Sequence, residues 1–133
     1  DPVESIGSFC SLTKNVRLGF TKSINKERIG KMVLDFWKHK LYKGMKDKKD
    51  LHSNQIANIS YPKFIKNPIN IIKEVYLKVG LDMDIKTENK MKEYLSAQKN
   101  LSKQKHFYTL EEFGLTPRAV EDHFKEYIES ESF

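Results

Sequence analysis

The stretch from Asn100 to Leu115, NLSKQKHFYTLEEFGL, sets basic, aromatic and helix-starting residues side by side in an order the rest of the chain must accommodate. Lys99, Lys103 and Lys105 bring three cations into seven residues, and Asn100 and Ser102 interrupt the periodic pattern before them, which predicts a loop. Free backbone N–H groups and lysines on a loop suit a phosphate. Thr109-Leu110-Glu111-Glu112 has the Thr-x-x-Glu spacing of a capping box, which starts a short helical turn and pins the far end of that loop. Gly114 supplies a C-cap, and Thr116-Pro117 supplies the cap and first-turn proline of another helix.

Helical periodicity fills most of what precedes it. Asp1-Pro2-Val3-Glu4 reads as a helix N-terminus, and Val3, Ile6, Phe9 and Cys10 recur at three- and four-residue spacing, predicting a helix of about three turns. Asn15 and Gly19 act as breakers in an irregular stretch over 15–21. Ile29, Met32, Val33, Phe36, Trp37 and Leu41 form the longest apolar stripe, over a helix from 26 to 46, with His39 off it. Gln55 to Tyr61 is the strand candidate, carrying Ile56, Ile59 and Tyr61 up to Pro62. Asn67-Pro68 opens a helix through Ile71, Ile72, Val75, Tyr76 and Val79 that Gly80 ends; Met91, Tyr94 and Leu95 mark the next, and Val120, Phe124 and Tyr127 the last.

A strand followed directly by a helix is the unit of parallel α/β sheets. Two architectures stay open: a small all-α domain with one extended segment, or the second half of an α/β domain whose other strands precede Asp1. A start on a cap residue favours the second.

The 133 residues suffice for one domain with one core. No apolar run approaches the roughly 20 residues of a membrane-spanning helix, and the opening lacks the order of a secretory signal. The single cysteine, Cys10, cannot form an internal disulfide and reads as a small buried hydrophobe, which fits a reducing, cytoplasmic compartment. His39, His52, His106 and His123 show no metal-ligand spacing. A net charge of +6 favours anionic ligands without selecting among them. A basic helical module that binds nucleic acid or a protein partner is therefore the alternative reading, although the aromatic residues lie on apolar stripes rather than interleaved with lysines as a stacking platform requires.

Taken in order, five features resemble one family. Asp1-Pro2 with Ser8 on the ensuing helix, the Phe36-Trp37 to Tyr42 helix, the segment ending at Tyr61, Asn67-Pro68 with its helix, and the closing His106-x-Tyr108-Thr109-Leu110-Glu111-x-Phe113-Gly114-Leu115 are similar to the C-terminal half of a sulfotransferase that uses 3′-phosphoadenosine 5′-phosphosulfate. The resemblance implies an α/β fold related to nucleotide kinases, with a central parallel sheet. It also implies transfer of a sulfuryl group from the nucleotide to a hydroxyl or amine of a small-molecule or carbohydrate acceptor, with no nucleic-acid partner. The family's phosphosulfate loop and proton acceptor would lie before Asp1, so this polypeptide alone is expected to be inactive.

The resemblance also assigns residues. Ser8 takes the place of the serine that binds the 3′-phosphate, and the arginine that accompanies it would stand just before Asp1; Ser8 also reads as a small residue for close helix packing. Tyr61 falls where a tyrosine approaches the adenine, or else is a core tyrosine, and the acidic pair that usually follows is here Pro62-Lys63. Lys103-Gln104-Lys105 resembles the second 3′-phosphate clamp without its glycine, which moves the expected contact from backbone to the lysine side chains. His106 either donates to the phosphate or packs under the turn.

Overall fold

The computed structural model describes residues 1–99 and 107–130. The chain divides into two compact units, one of residues 1–46 with 106–133 and the other of residues 47–105.

In the first unit, α1 (Pro2–Leu18) starts where the sequence predicts: the Asp1 carboxylate accepts the Val3 N–H at 2.8 Å. It runs a full turn further than expected, through Asn15, because a single weak helix former costs well under about 1 kcal/mol and does not by itself stop a helix. Asn25 opens α2 (Lys26–Lys48) by accepting the Arg28 N–H at 2.8 Å. Thr116 caps α6 (Pro117–His123) through its hydroxyl, which accepts from Ala119 at 3.1 Å. The expected single last helix is broken at Phe124 (φ −108°, ψ 16°), after which α7 covers Lys125–Ser130. That kink coincides with a ring only 2 % exposed.

The core of this unit combines Ile6 and Cys10 of α1, Ile29 and Val33 of α2, Leu110, Phe113 and Leu115 of the closing motif, and Val120 and Phe124. Burial of each such large side chain contributes about 1.5–3 kcal/mol. The α2 stripe is therefore core only in part, since Met32 and Phe36 are exposed while Trp37 packs on Phe9 with ring centroids 4.3 Å apart. The closing motif forms a short 3-10 turn, Glu111–Phe113, ended by Gly114 in the left-handed region (φ 68°) as the sequence predicts. Gly30 lets α2 press on that turn: a Cβ there would stand 2.1 Å from the Phe113 carbonyl oxygen.

In the second unit, α3 (Tyr61–Lys66), α4 (Pro68–Lys78) and α5 (Ile85–Lys99) follow one another. Asn67-Pro68 opens α4 and Gly80 (φ 76°) turns the chain after it, with Leu81 N donating to Tyr76 O at 2.8 Å. Asp84 caps α5 by accepting the Thr87 N–H at 2.6 Å. Glu88 joins α4 to α5, pairing with Lys73 at 2.8 Å and Lys92 at 2.7 Å.

The strand expected over Gln55–Tyr61 is not formed, and no parallel sheet is present among the described residues. Ile56 (φ −127°, ψ 129°) and Ser60 (φ −71°, ψ 116°) are extended, yet no described segment runs beside them to complete a hydrogen-bonded ladder. Tyr61 instead opens α3, where Pro62 sits in the first turn and loses no backbone bond for want of an N–H.

Candidate functional site

Helix α1 presents Ser8, Ser11, Leu12 and Asn15 at the spacing of one helix face, and with Tyr108 they line a cleft of about 170 Å³ in the first unit. Ser8 is exposed in it and Ser11 is nearly covered. Tyr108 reaches this face because position 7 has no side chain: a Cβ on Gly7 would lie 2.6 Å from Tyr108 Cε2. The phenol also donates to the Glu4 carbonyl oxygen in a long contact of 3.4 Å. The segment that leaves the lysine-rich stretch is thus laid against α1 within one residue of Ser8.

Two cations of the first unit, Lys14 and Lys26, are engaged by Glu112 of the closing motif. Glu112 takes Lys26 and, at 3.3 Å, Lys14, and these hydrogen bonds hold its carboxyl below the usual glutamate range, that of Lys26 contributing most. Thr109 keeps its half of the expected capping box, accepting the Glu112 N–H at 3.3 Å, while the carboxylate of Glu112 ties α1 and α2 to the turn. The cleft lining therefore offers neutral donors: two serine hydroxyls and an asparagine amide. Such a lining complements phosphate oxygens but supplies no charge, so a bound phosphate needs cations from outside it.

Among the residues predicted from sequence, Ser8 stands in the cleft. Lys103, Gln104, Lys105 and His106 lie outside the described residues. Tyr61 belongs to the second unit, at the start of α3, and is 69 % exposed, so it is not a core tyrosine. A larger apolar cleft of that unit, about 470 Å³, is lined by Phe64, Ile72, Met91, Tyr94 and Leu95 among others, and not by Tyr61. Cys10 is fully buried and burial pushes its thiol up to about 11, so it is no nucleophile near neutral pH. No group of metal-binding side chains occurs among the described residues, and none of their helices is long and apolar enough to cross a membrane.

Sequence reading missed Gly7, Ser11 and Asn15. Treating Asn15 as a breaker shortened the helix and hid the spacing from Ser8, and Tyr108 was visible only as a member of the closing motif.

The fold is that of a sulfotransferase. It is similar to the crystal structure of sulfotransferase STF9 from Mycobacterium avium, with a TM-score of 0.81 and 18% sequence identity over 100% of this chain and 34% of that one. The sequence pattern described as the Sulfotransferase family matches residues 1–85, and the chain belongs to that family. It spans about a third of the length of the solved relative. No curated protein matches the sequence.

Proposed function

We propose that the protein is a sulfotransferase that moves a sulfuryl group from 3′-phosphoadenosine 5′-phosphosulfate to an acceptor hydroxyl or amine. In this reading the 133 residues are the C-terminal portion of one sulfotransferase domain and hold the 3′-phosphate and adenine side of the nucleotide. Ser8 donates to the 3′-phosphate, Lys103 and Lys105 neutralise it, Gln104 stands between them, and Tyr61 stacks on the base. The observation that carries the reading is the cleft in which Ser8 is exposed beside Tyr108, in a chain of the Sulfotransferase family.

Sulfuryl transfer requires an aligned donor and acceptor and charge stabilisation at the departing phosphate. The family resemblance places the groups for those tasks before Asp1. This chain by itself is accordingly expected to bind the nucleotide and not to turn it over.

Calorimetric titration of the chain with 3′-phosphoadenosine 5′-phosphate, adenosine 5′-phosphate and single-stranded DNA tests the assignment. Preference for the bisphosphate is expected. Equal affinity for the two nucleotides, or tighter and steeply salt-dependent binding to DNA, would replace it with the basic-module reading. A turnover assay with a panel of acceptors should stay at background.

A further inference from the structure

The second unit holds an apolar cleft to which the nucleotide reading gives no occupant. We propose that this cleft, walled by α3, α4 and α5, binds a small amphiphile with an aliphatic body and a single anionic head, the head being held by Lys90. Every lining residue belongs to the one compact unit, and the site stands or falls independently of the 3′-phosphate assignment.

At about 470 Å³ the cleft falls within the roughly 300–1,000 Å³ that encloses a small organic molecule. Its lining is divided in character. Phe64 of α3, Ile72 of α4, and Met91 and Leu95 of α5 are half-buried, so their apolar surface is partly covered by the unit and partly open to a ligand. Lys90 and Tyr94, one turn apart on α5, are exposed. Among the described residues that line the cleft, Lys90 is the one that carries a charge, in a unit with twelve Lys and Arg against seven Asp and Glu. Two acids at the start of α5 have other partners: Asp84 accepts the Thr87 N–H at 2.6 Å, and Glu88 pairs with Lys73 at 2.8 Å and Lys92 at 2.7 Å. The pair with Lys73 also ties α4 to α5, so two walls of the cleft are joined without help from a ligand. An aliphatic body gains by leaving water for the apolar wall, and a lysine can lay its methylenes on such a wall while its ammonium meets an anionic head at the solvent edge. A neutral amphiphile has only the first of these gains, and a cationic one is repelled.

The test is calorimetric titration of the chain, without nucleotide, with decanoate, decan-1-ol and decyltrimethylammonium, all as monomers, alongside amide shift mapping. Decanoate is expected to fill one saturable site about tenfold more tightly than the alcohol, with the cation weakest, and to shift the amides of Ile72, Met91 and Leu95. Lys90→Gln, at an exposed position, should lower decanoate affinity about tenfold and alcohol affinity less than about twofold, since it removes a charge-assisted contact and little apolar wall. Lys90→Arg should restore the preference for the anion. Lys78→Gln, which removes the same charge from the same unit outside the cleft, should leave it unchanged. Equal affinity for decanoate and decan-1-ol, a Lys90→Gln variant that binds decanoate like wild type, or a Lys78→Gln variant as weak as Lys90→Gln would overturn the proposal. So would binding that does not saturate, which marks general adhesion to exposed apolar surface. None of these results bears on the preference for the bisphosphate at the Ser8 cleft, so the two readings fail separately.

Discussion

The two units differ in how they are held together. All of the buried apolar side chains among the described residues belong to the first, and none to the second, where Leu77, Leu81, Ile85 and Tyr94 are all more than half exposed. Charge is divided as unequally: twelve Lys and Arg meet eleven Asp and Glu in the first unit, and twelve meet seven in the second, which therefore carries nearly the whole of the net charge. Yet each unit has one glutamate gripped by two lysines, Glu112 and Glu88. The contrast separates two kinds of order. In the first unit local caps and a closed core agree, while in the second the caps and an ion-pair clamp define helices whose apolar faces remain accessible.

Core truncation should break the comparison most sharply. Phe113→Ala in the first unit is expected to cost about 4 kcal/mol, read from urea unfolding followed by Trp37 fluorescence, whereas Leu77→Ala in the second, a side chain 70% exposed, should change stability by less than about 0.5 kcal/mol. A similar cost at both sites would mean that the second unit buries as much as the first.

Next in size is Gly30→Ala. The added methyl meets the Phe113 carbonyl, which is backbone and cannot swing aside, and about 3 kcal/mol of destabilisation is expected by the same assay. Removing the hydroxyl cap with Thr116→Ala should cost about 1 kcal/mol and leave α4 and α5 amide exchange unchanged.

The smallest effects are in pH. Burial first and Lys38 second hold the His123 imidazole below its ordinary 6.5, with Asp35 at 3.8 Å opposing them, and Nε2 has no hydrogen-bond partner. The folded state thus binds that proton less readily than the unfolded chain. Stability is fully present above pH 6.5 and declines as pH falls toward the folded value, a slope that His123→Gln should flatten in urea midpoints measured from pH 8 to 5. Glu112 and Glu88 are both held below 4.5, by Lys26 and Lys14 and by Lys73 and Lys92 respectively, so each contributes stability above pH 4.5 that is lost on further acidification. Glu112→Gln and Glu88→Gln should each remove part of that acid sensitivity, and high salt should reduce it at both partly exposed sites.

The sequence was most legible where a short pattern constrains the backbone locally, through a cap, a first-turn proline or a glycine at positive φ. Asp1, Asn67-Pro68, Gly80, Gly114 and Thr116-Pro117 all mark helix ends where local chemistry predicts them. Gln55 to Tyr61 was misread because a strand is defined by a neighbour, and apolar β-formers reveal nothing about whether one lies alongside. Ser8 was singled out through family resemblance rather than through any chemistry visible in its immediate surroundings. The rest of its cleft was hidden because Tyr108 comes from a hundred residues away, and a notch made by the missing side chain of Gly7 leaves no periodic trace.

The measurement that bears most directly on the whole account is a map of backbone amide shifts during titration with 3′-phosphoadenosine 5′-phosphate. Saturating shifts at Ser8, Ser11, Asn15 and Tyr108 that adenosine 5′-phosphate does not reproduce are the predicted result. Amides of that cleft that stay still, while those of the lysine-bearing α4 and α5 drift without saturating, would contradict it.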